Sequence, residues 1–476
     1  MFLLSIAMQK AMTLVYFVIV ANVFGPAEQG RYSAALAFTV LFGVFVDCGT
    51  SAMLTRETAR RGRDVEPLVR QMFFSRLVLG FVVYGIMIGA AYAFHYSSEL
   101  ISLIWIASIA ALIDTCSVAT WAIIRGFHNL TYEAIGGVLA IGTMVILGGV
   151  AIFLHLPLPF LMYAVLAGSI ANVVLAVWVL SHKLHISFTP TIQLPLLKEM
   201  IILSLPFAGA AIFSRIYTYT DSTLLASLVS EQAVGWYTAA NKIILALNLI
   251  PASLSASLYP TLSVFALSHP QKISSTFTKT LFVLFLIALP IAAGMIILAP
   301  HIVLAFYNDH YLPTIGLIQI LSVSMVFGFL SFPFGALFAA TNQQRKNTFL
   351  YGIAAALSVG GNWLLISRFG AIGAAATALM VSFFIFFASF LWSRNYWRPE
   401  QAYLVSSTLK IVLATSGMAA VLWVVKDAIP FIVTLLIGIV AYVACCFALR
   451  VVTKADVSMI IHSFIKKSAI SVQDTL

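Results

Sequence analysis

Eight ionisable side chains of this sequence fall inside long apolar stretches: Lys10, Asp47, Arg76, Asp114, Arg215, Asp221, Lys242 and Lys410. At the centre of a bilayer each such group costs roughly 2.5–3.5 kcal/mol on insertion scales, so it usually faces a protein interior or a water-filled path. Arg215 is the most demanding, since it lies about 15 residues, or roughly 20 Å of helix rise, from either end of its stretch. Tyr219 follows one turn later and Asp221 about two turns later, and Lys242 lies about two turns into the next stretch. A guanidinium fork matches phosphate oxygens, so Arg215, Lys242 and Tyr219 together could replace water around a phosphate-bearing anion. The plainer alternative is an internal ion pair of Arg215 with Asp221 or Asp114 that only ties helices together. Lys10 and Arg76 join the candidate anion ligands, although they lie nearer an interface, where snorkelling also accounts for them. Asp47, Asp114 and Asp221 are candidates for carrying a coupling proton or Na⁺, or for helix–helix hydrogen bonds. Lys410 reads as an interfacial anchor.

The elements that would position these groups follow from composition. Of 476 residues, 62% are hydrophobic and 9% charged, and the mean hydropathy is +1.03. A soluble domain carries roughly 25% charged residues to wet its surface. So few charges fit a chain solvated by lipid, where helices satisfy their own backbone groups. Fourteen apolar stretches are present, near 2–24, 34–55, 71–94, 100–124, 133–154, 158–181, 199–229, 235–261, 281–300, 313–341, 348–367, 371–393, 405–425 and 428–449. At about 23 residues each they use about 320 residues, which leaves only short connections. The expected fold is an all-α integral membrane bundle of about 14 transmembrane helices. Pro206 and Pro333 fall inside stretches and predict kinks there.

Orientation follows from the basic loops. With the N-terminus inside, 18 of the 26 Lys and Arg residues fall on the cytoplasmic side and only Arg31, Arg368 and Lys426 outside. That asymmetry supports the helix count and cytoplasmic N- and C-termini. It also accounts for the net charge of +10 without nucleic acid as a partner, since no dense basic cluster with interleaved aromatics occurs. Cys48, Cys116, Cys445 and Cys446 all lie in apolar stretches without metal or disulfide spacing, so neither a zinc site nor a cofactor is expected. The N-terminus lacks a basic n-region and a small-residue cleavage pattern, so a removable signal peptide is not expected. His-Glu-x-x-His, Walker and Gly-x-Ser-x-Gly motifs do not occur, which argues against an enzyme or a primary pump.

An internal repeat is the most informative pattern. Gly30-Arg31-Tyr32-Ser33-Ala34-Ala35 opens the second stretch, and Gly235-Trp236-Tyr237-Thr238-Ala239-Ala240 opens the eighth. Each copy follows a Glu-Gln pair, Glu28-Gln29 and Glu231-Gln232. Six helices separate the copies, an even number, so the halves share one orientation. Parallel repeats of this kind are associated with transporters. The expected organisation is a six-helix lobe over residues 1–198, a second over 199–400, and two further helices with a cytoplasmic tail over 401–476.

Gly25-Pro26-x-x-x-Gly30-x-Tyr32-Ser33, the matching Val234-Gly235-x-Tyr237-x-Ala239-Ala240, Tyr259-Pro260 and Phe369-Gly370-Ala371-Ile372-Gly373-Ala374-Ala375 resemble the polysaccharide-biosynthesis flippases. These O-antigen translocases belong to the multidrug/oligosaccharidyl-lipid/polysaccharide exporter superfamily. The resemblance covers nearly the whole chain in helix number and motif order. It departs at the N-terminus, where the first helix begins almost at Met1 without a short polar lead, as expected of a chain whose start lies upstream. What it implies is a flippase that carries a polyprenyl-diphosphate-linked oligosaccharide from the inner to the outer leaflet of a bacterial plasma membrane by alternating access. Partners would be the lipid-linked oligosaccharide, membrane lipid, and polysaccharide polymerase and assembly proteins. Two rivals stay open. A cation-coupled drug exporter of the same superfamily would favour acidic and aromatic cavity residues. A membrane-embedded polymerase or glycosyltransferase would need catalytic residues on a large external loop.

Overall fold

The computed structural model describes residues 2–451 apart from 187, 188, 190, 191, 395, 396 and 398–400. Arg398 and the tail lysines Lys454, Lys466 and Lys467 lie outside the described residues. The chain runs through α1 (Phe2–Asp47), α2 (Thr50–Arg61), α3 (Glu66–Ala93), α4 (Ser98–Gly126), α5 (Thr131–Phe153), α6 (Pro159–Trp178) and α7 (Leu194–Leu228). It continues through α8 (Glu231–Leu247), α9 (Leu249–Ser268), α10 (Pro270–Phe306), α11 (Thr314–Ala340), α12 (Gln344–Phe369), α13 (Ala371–Ser393), α14 (Gln401–Val425) and α15 (Phe431–Ala448). Among the described residues there is no strand.

Among the described residues twelve stretches are long and apolar enough to cross a membrane, or thirteen when the two arms of α7, bent by 59° on either side of Pro206, count as one span. A proline without an N–H explains the α7 bend. At Pro333, by contrast, α11 continues as one helix to Ala340. The last crossing is hidden in α1, whose candidate span of 44 residues would extend about 66 Å, far beyond a hydrocarbon core of about 30 Å.

Contacts show how α1 folds back. Positions beside Gln9 and Tyr16 are Gly137 and Gly148 of α5, so the first arm runs parallel to α5. Gly43 and Asp47 meet Tyr84 and Arg76 of α3, so the second arm runs antiparallel to α3. As α3 and α5 are themselves parallel, the arms oppose each other, and the reversal falls at Gly25 (φ 74°, ψ 175°). Only glycine adopts that conformation without strain, and Pro26 behind it restarts the helix with a ring already set to helical φ. The chain is thus a multi-pass membrane protein, and with α1 counted as two crossings the described residues agree with the expected number of about fourteen.

The structure departs from expectation at several boundaries: the connection expected after 24 is only the turn at Gly25, and the 235–261 stretch is divided between α8 and α9. The 34–55 stretch is not one span: it breaks at Cys48 (φ 41°) and Gly49 (φ 75°), and α2 leaves as a separate amphipathic helix. Met53 and Leu54 of α2 are buried, while Arg56, Arg60 and Arg61 ring the buried Glu57 at 3.0, 3.8 and 3.0 Å. Arg61 also reaches Glu199 at 2.6 Å. This basic end of the bundle is opposite the Gly25 turn.

Helices α3, α4, α5 and α6 pack mainly on one another and on α1, as α9, α10, α11, α12 and α13 do on one another and on α7 and α8. The two groups meet chiefly where α1 lies against α8 and α7. Helices α14 and α15 pack on each other and on α10. At the α1–α8 seam the backbones touch. A Cβ on Gly30 would lie 1.7 Å from the Glu231 carbonyl oxygen, and one on Gly235 would lie 1.9 Å from that of Pro26. The repeat that relates Gly30 to Gly235 also relates Pro26 to Glu231, so each contact is the image of the other.

Candidate functional site

Three cations lie at a similar depth on α1, α7 and α8, the helices of this seam. Arg215 is placed by counting back from Leu228 at the end of α7, and Lys242 by counting in from Glu231 at the start of α8. Lys10 is placed by counting back from the turn at Gly25. At about 1.5 Å per residue their depths are about 20, 17 and 22 Å from the Gly25 end. The start of α8 is fixed by Ser230, whose hydroxyl accepts from Ala233 N–H at 3.1 Å, a normal N-cap. Arg215 is exposed and its guanidinium lies 5.8 Å from the Tyr219 ring, with Nη1 3.5 Å from the phenol oxygen. The i, i+4 spacing puts both on one face. Lys242 is half-buried with Nζ 5.4 Å from the Phe17 ring, and Lys10 lies within electrostatic range of it. None of the three forms a salt bridge among the described residues.

Neither proposed partner of Arg215 is paired with it. Both oxygens of Asp221 are taken: Tyr237 donates its hydroxyl to one, and Ser222 N–H donates to the other at 2.6 Å. Asp114 has no salt-bridge partner among the described residues, and its backbone carbonyl accepts from Ser117 Oγ at 2.9 Å. The ion-pair alternative for Arg215 is therefore not realised.

Arg76 corrects the snorkelling alternative, because it does not reach solvent. It is 1% exposed and its guanidinium donates to Asp47, to the Thr115 carbonyl, to Thr50 Oγ1 at 2.7 Å and to Ser51 Oγ at 2.8 Å. Asp47 in turn accepts from Ser51 Oγ and from Ser51 N–H at 3.3 Å. Arg76 and Asp47 thus form an internal network tying α1, α2, α3 and α4, apart from the seam cations. Lys410 is exposed on α14.

At the Gly25 end the seam is closed. Arg31 Nε of α1 pairs with Glu231 of α8 at 2.5 Å, and Ser97, the N-cap of α4, donates its hydroxyl to the same carboxylate. Sequence reasoning saw Arg31 and Glu231 only as loop neighbours of the repeat, because a pairing between the two halves of the chain leaves no local signal.

It also missed a polar cavity of about 370 Å³ walled by α7, α8, α11, α12 and α13. Its walls carry amides and hydroxyls such as Asn241, Asn362, Ser324 and Ser382. Ser324 Oγ donates to Ser382 Oγ at 2.9 Å. On α13 the lining recurs as Ala374, Ala378, Ser382, Ile385 and Ser389, one helical stripe at i+4 and i+3 spacing. That stripe was legible in principle, but neutral polar residues scarcely lower the hydropathy of an apolar window.

Solved structures with this architecture include a flippase and multidrug transporters. "Lipid II flippase MurJ, inward closed conformation" matches with TM-score 0.77 at 16% identity, over 94% of this chain and 98% of that one. An inward-facing multidrug resistance MATE family transporter of the MOP superfamily matches with TM-score 0.66 at 18% identity, over 83% and 97%. At such identities the likeness is one of fold. In sequence, 166 residues are 21% identical to the protein named "Putative O-antigen transporter" of Shigella flexneri. That alignment takes in 34% of this chain and 39% of the relative, so it spans about two fifths of the relative's length. The model of the family described as polysaccharide biosynthesis protein matches residues 1–266, more than half of the chain, and the chain belongs to that family.

Proposed function

We propose that this chain is a flippase for a polyprenyl-diphosphate-linked oligosaccharide, an O-antigen or other surface-polysaccharide repeat unit, moved from the inner to the outer leaflet of a bacterial plasma membrane. The observation that carries this reading is that Arg215, Lys242 and Lys10 lie at a similar depth on α7, α8 and α1 without a carboxylate partner among the described residues. Lys10 and Lys242 lie within electrostatic range of each other and repel, and a diphosphate between such cations would turn repulsion into attraction. Arg215 supplies the fork, the lysines supply point charges, and Tyr219 adds a hydroxyl donor. A cationic drug would be repelled by the same group, which disfavours the exporter alternative.

Residues 1–198 and 199–400 act as lobes that rock about the α1–α8 seam, with both termini cytoplasmic. The structure then corresponds to the state closed toward the outside, held by Arg31, Glu231 and Ser97. Outward opening must separate them. The polyprenyl tail stays in lipid, where an apolar groove of about 510 Å³ between α10, α11, α13 and α14, lined by Phe285, Phe327 and Phe390 among others, offers a hydrocarbon-compatible surface. Asp114 and Asp221 are the coupling candidates, since Asp47 is committed to Arg76. A polymerase and assembly proteins would receive the product outside.

Deletion of the gene should leave the lipid-linked glycan accumulated on the cytoplasmic leaflet, read by its protection from a membrane-impermeant glycosidase in intact spheroplasts. Normal exposure of the glycan outside the deletion strain would count against the assignment.

A further inference from the structure

We propose that the neutral cavity walled by α7, α8, α11, α12 and α13 is a carbohydrate subsite that takes the sugar next to the diphosphate. This rests on the flippase reading and gives it a source of glycan specificity. Position is the first argument. Ser214 and Asn241 line the cavity, and their immediate neighbours Arg215 and Lys242 are the seam cations, about 100° further round their helices. A ligand whose diphosphate lies on those cations presents its first sugar to the cavity.

Chemistry is the second. Sugar hydroxyls both donate and accept, and amides and hydroxyls answer in kind. The cavity offers four amides, Asn241, Asn248, Asn347 and Asn362, beside the hydroxyls of Ser331 and Tyr351, and no Lys or Arg lines it. Its one carboxylate, Asp221, already has both oxygens satisfied by Tyr237 and Ser222. Room is kept by Gly328 and Gly335, around whose Cβ positions nothing lies within 4 Å. The volume of about 370 Å³ falls in the range of small-molecule pockets.

An unpaired atom is the third. Asn362 lines the cavity at 1% exposure. Its Nδ2 donates to Ser358 Oγ at 3.2 Å while its Oδ1 has no partner. Whichever way the amide is turned, Ser358 satisfies only one end. A buried polar atom left in this way is costly, and a hydroxyl in the cavity would complete it.

The test uses the full chain in lipid nanodiscs and three probes: polyprenyl diphosphate, and the same lipid carrying one N-acetylglucosamine or one galactose. We expect at least one sugar-bearing lipid to bind 10-fold or more tightly than the sugar-free lipid. Asn362→Leu should abolish that preference while leaving sugar-free binding within twofold, which also reports that the variant is folded. Asn347→Ala, a milder change at the same wall, should reduce the preference. Arg215→Ala should weaken all three lipids alike. Equal binding of the three lipids by the wild type overturns the subsite alone, as does a preference that survives Asn362→Leu. Sodium-dependent binding of the sugar-free lipid that Asn362→Leu removes would assign the cavity to a cation and also overturn it. Failure of polyprenyl diphosphate itself to bind defeats the flippase reading, and this inference with it.

Discussion

Arg215 and Arg76 look alike in the sequence, each a guanidinium in an apolar stretch, and the structure separates them by their surroundings. Arg76 is enclosed and paired with Asp47, so Arg76→Ala leaves a half-buried carboxylate uncompensated. That should destabilise the protein by about 3–5 kcal/mol, seen as loss of folded protein in a thermal scan in detergent. Asp47→Asn on that background should restore much of it, because a missing pair is tolerated better than half a pair. Arg215→Ala should instead leave stability near wild type and stop transport, and Arg215→Lys should recover only part of the rate, because lysine keeps the charge and loses the fork. Loss of stability in Arg215→Ala would assign it a structural role. The charges themselves were legible from the sequence; their partners were not. Asp47 and Arg76 sit on different helices, as do Tyr237 and Asp221, and no periodicity links either pair. The neutral cavity was less legible still, since Ser and Asn in apolar helices serve as often to bond their own backbone, as Ser331 does to Phe327.

Among the elements, the sequence placed fourteen apolar stretches and the structure keeps them, but its boundaries failed wherever backbone geometry rather than hydropathy decides. Gly25 reverses the chain with no loop, and Cys48–Gly49 cuts α2 from α1 inside a stretch that reads as continuous. The repeat motif acquires a physical reason: Gly30 and Gly235 exist as glycines because each admits the other half's backbone. Gly30→Ala and Gly235→Ala should each destabilise the seam, on the order of 2 kcal/mol as overpacking of a tight contact does, and by similar amounts because the contacts are equivalent. Thermal unfolding of the two variants measures this. A tolerated alanine at either site would show that the seam is looser than described. At the same end, Arg31→Cys with Glu231→Cys should cross-link under oxidation and arrest transport reversibly. Cross-linked protein that still transports would mean that this contact need not open.

At the scale of the whole molecule, the bundle closes at the Gly25 end and carries, roughly midway down α1, α7 and α8, three cations without a salt bridge among the described residues, with an apolar groove on its flank. An anion crossing outward under an inside-negative potential gains roughly 2.3 kcal/mol per charge per 100 mV if it crosses uncompensated, so transport by this chain should accelerate when such a potential is imposed on proteoliposomes. No acceleration would mean that the bound cations carry the charge across with the substrate. The central claim is that the seam cations hold a diphosphate during transfer. Its most direct measurement is the rate at which a fluorescent polyprenyl-diphosphate-linked oligosaccharide becomes accessible to an impermeant quencher in proteoliposomes. Wild type is compared with Lys10→Ala, Arg215→Ala and Lys242→Ala combined. The triple variant, folded and inserted as well as wild type, should flip at the protein-free rate. A triple variant that flips as fast as wild type would contradict it.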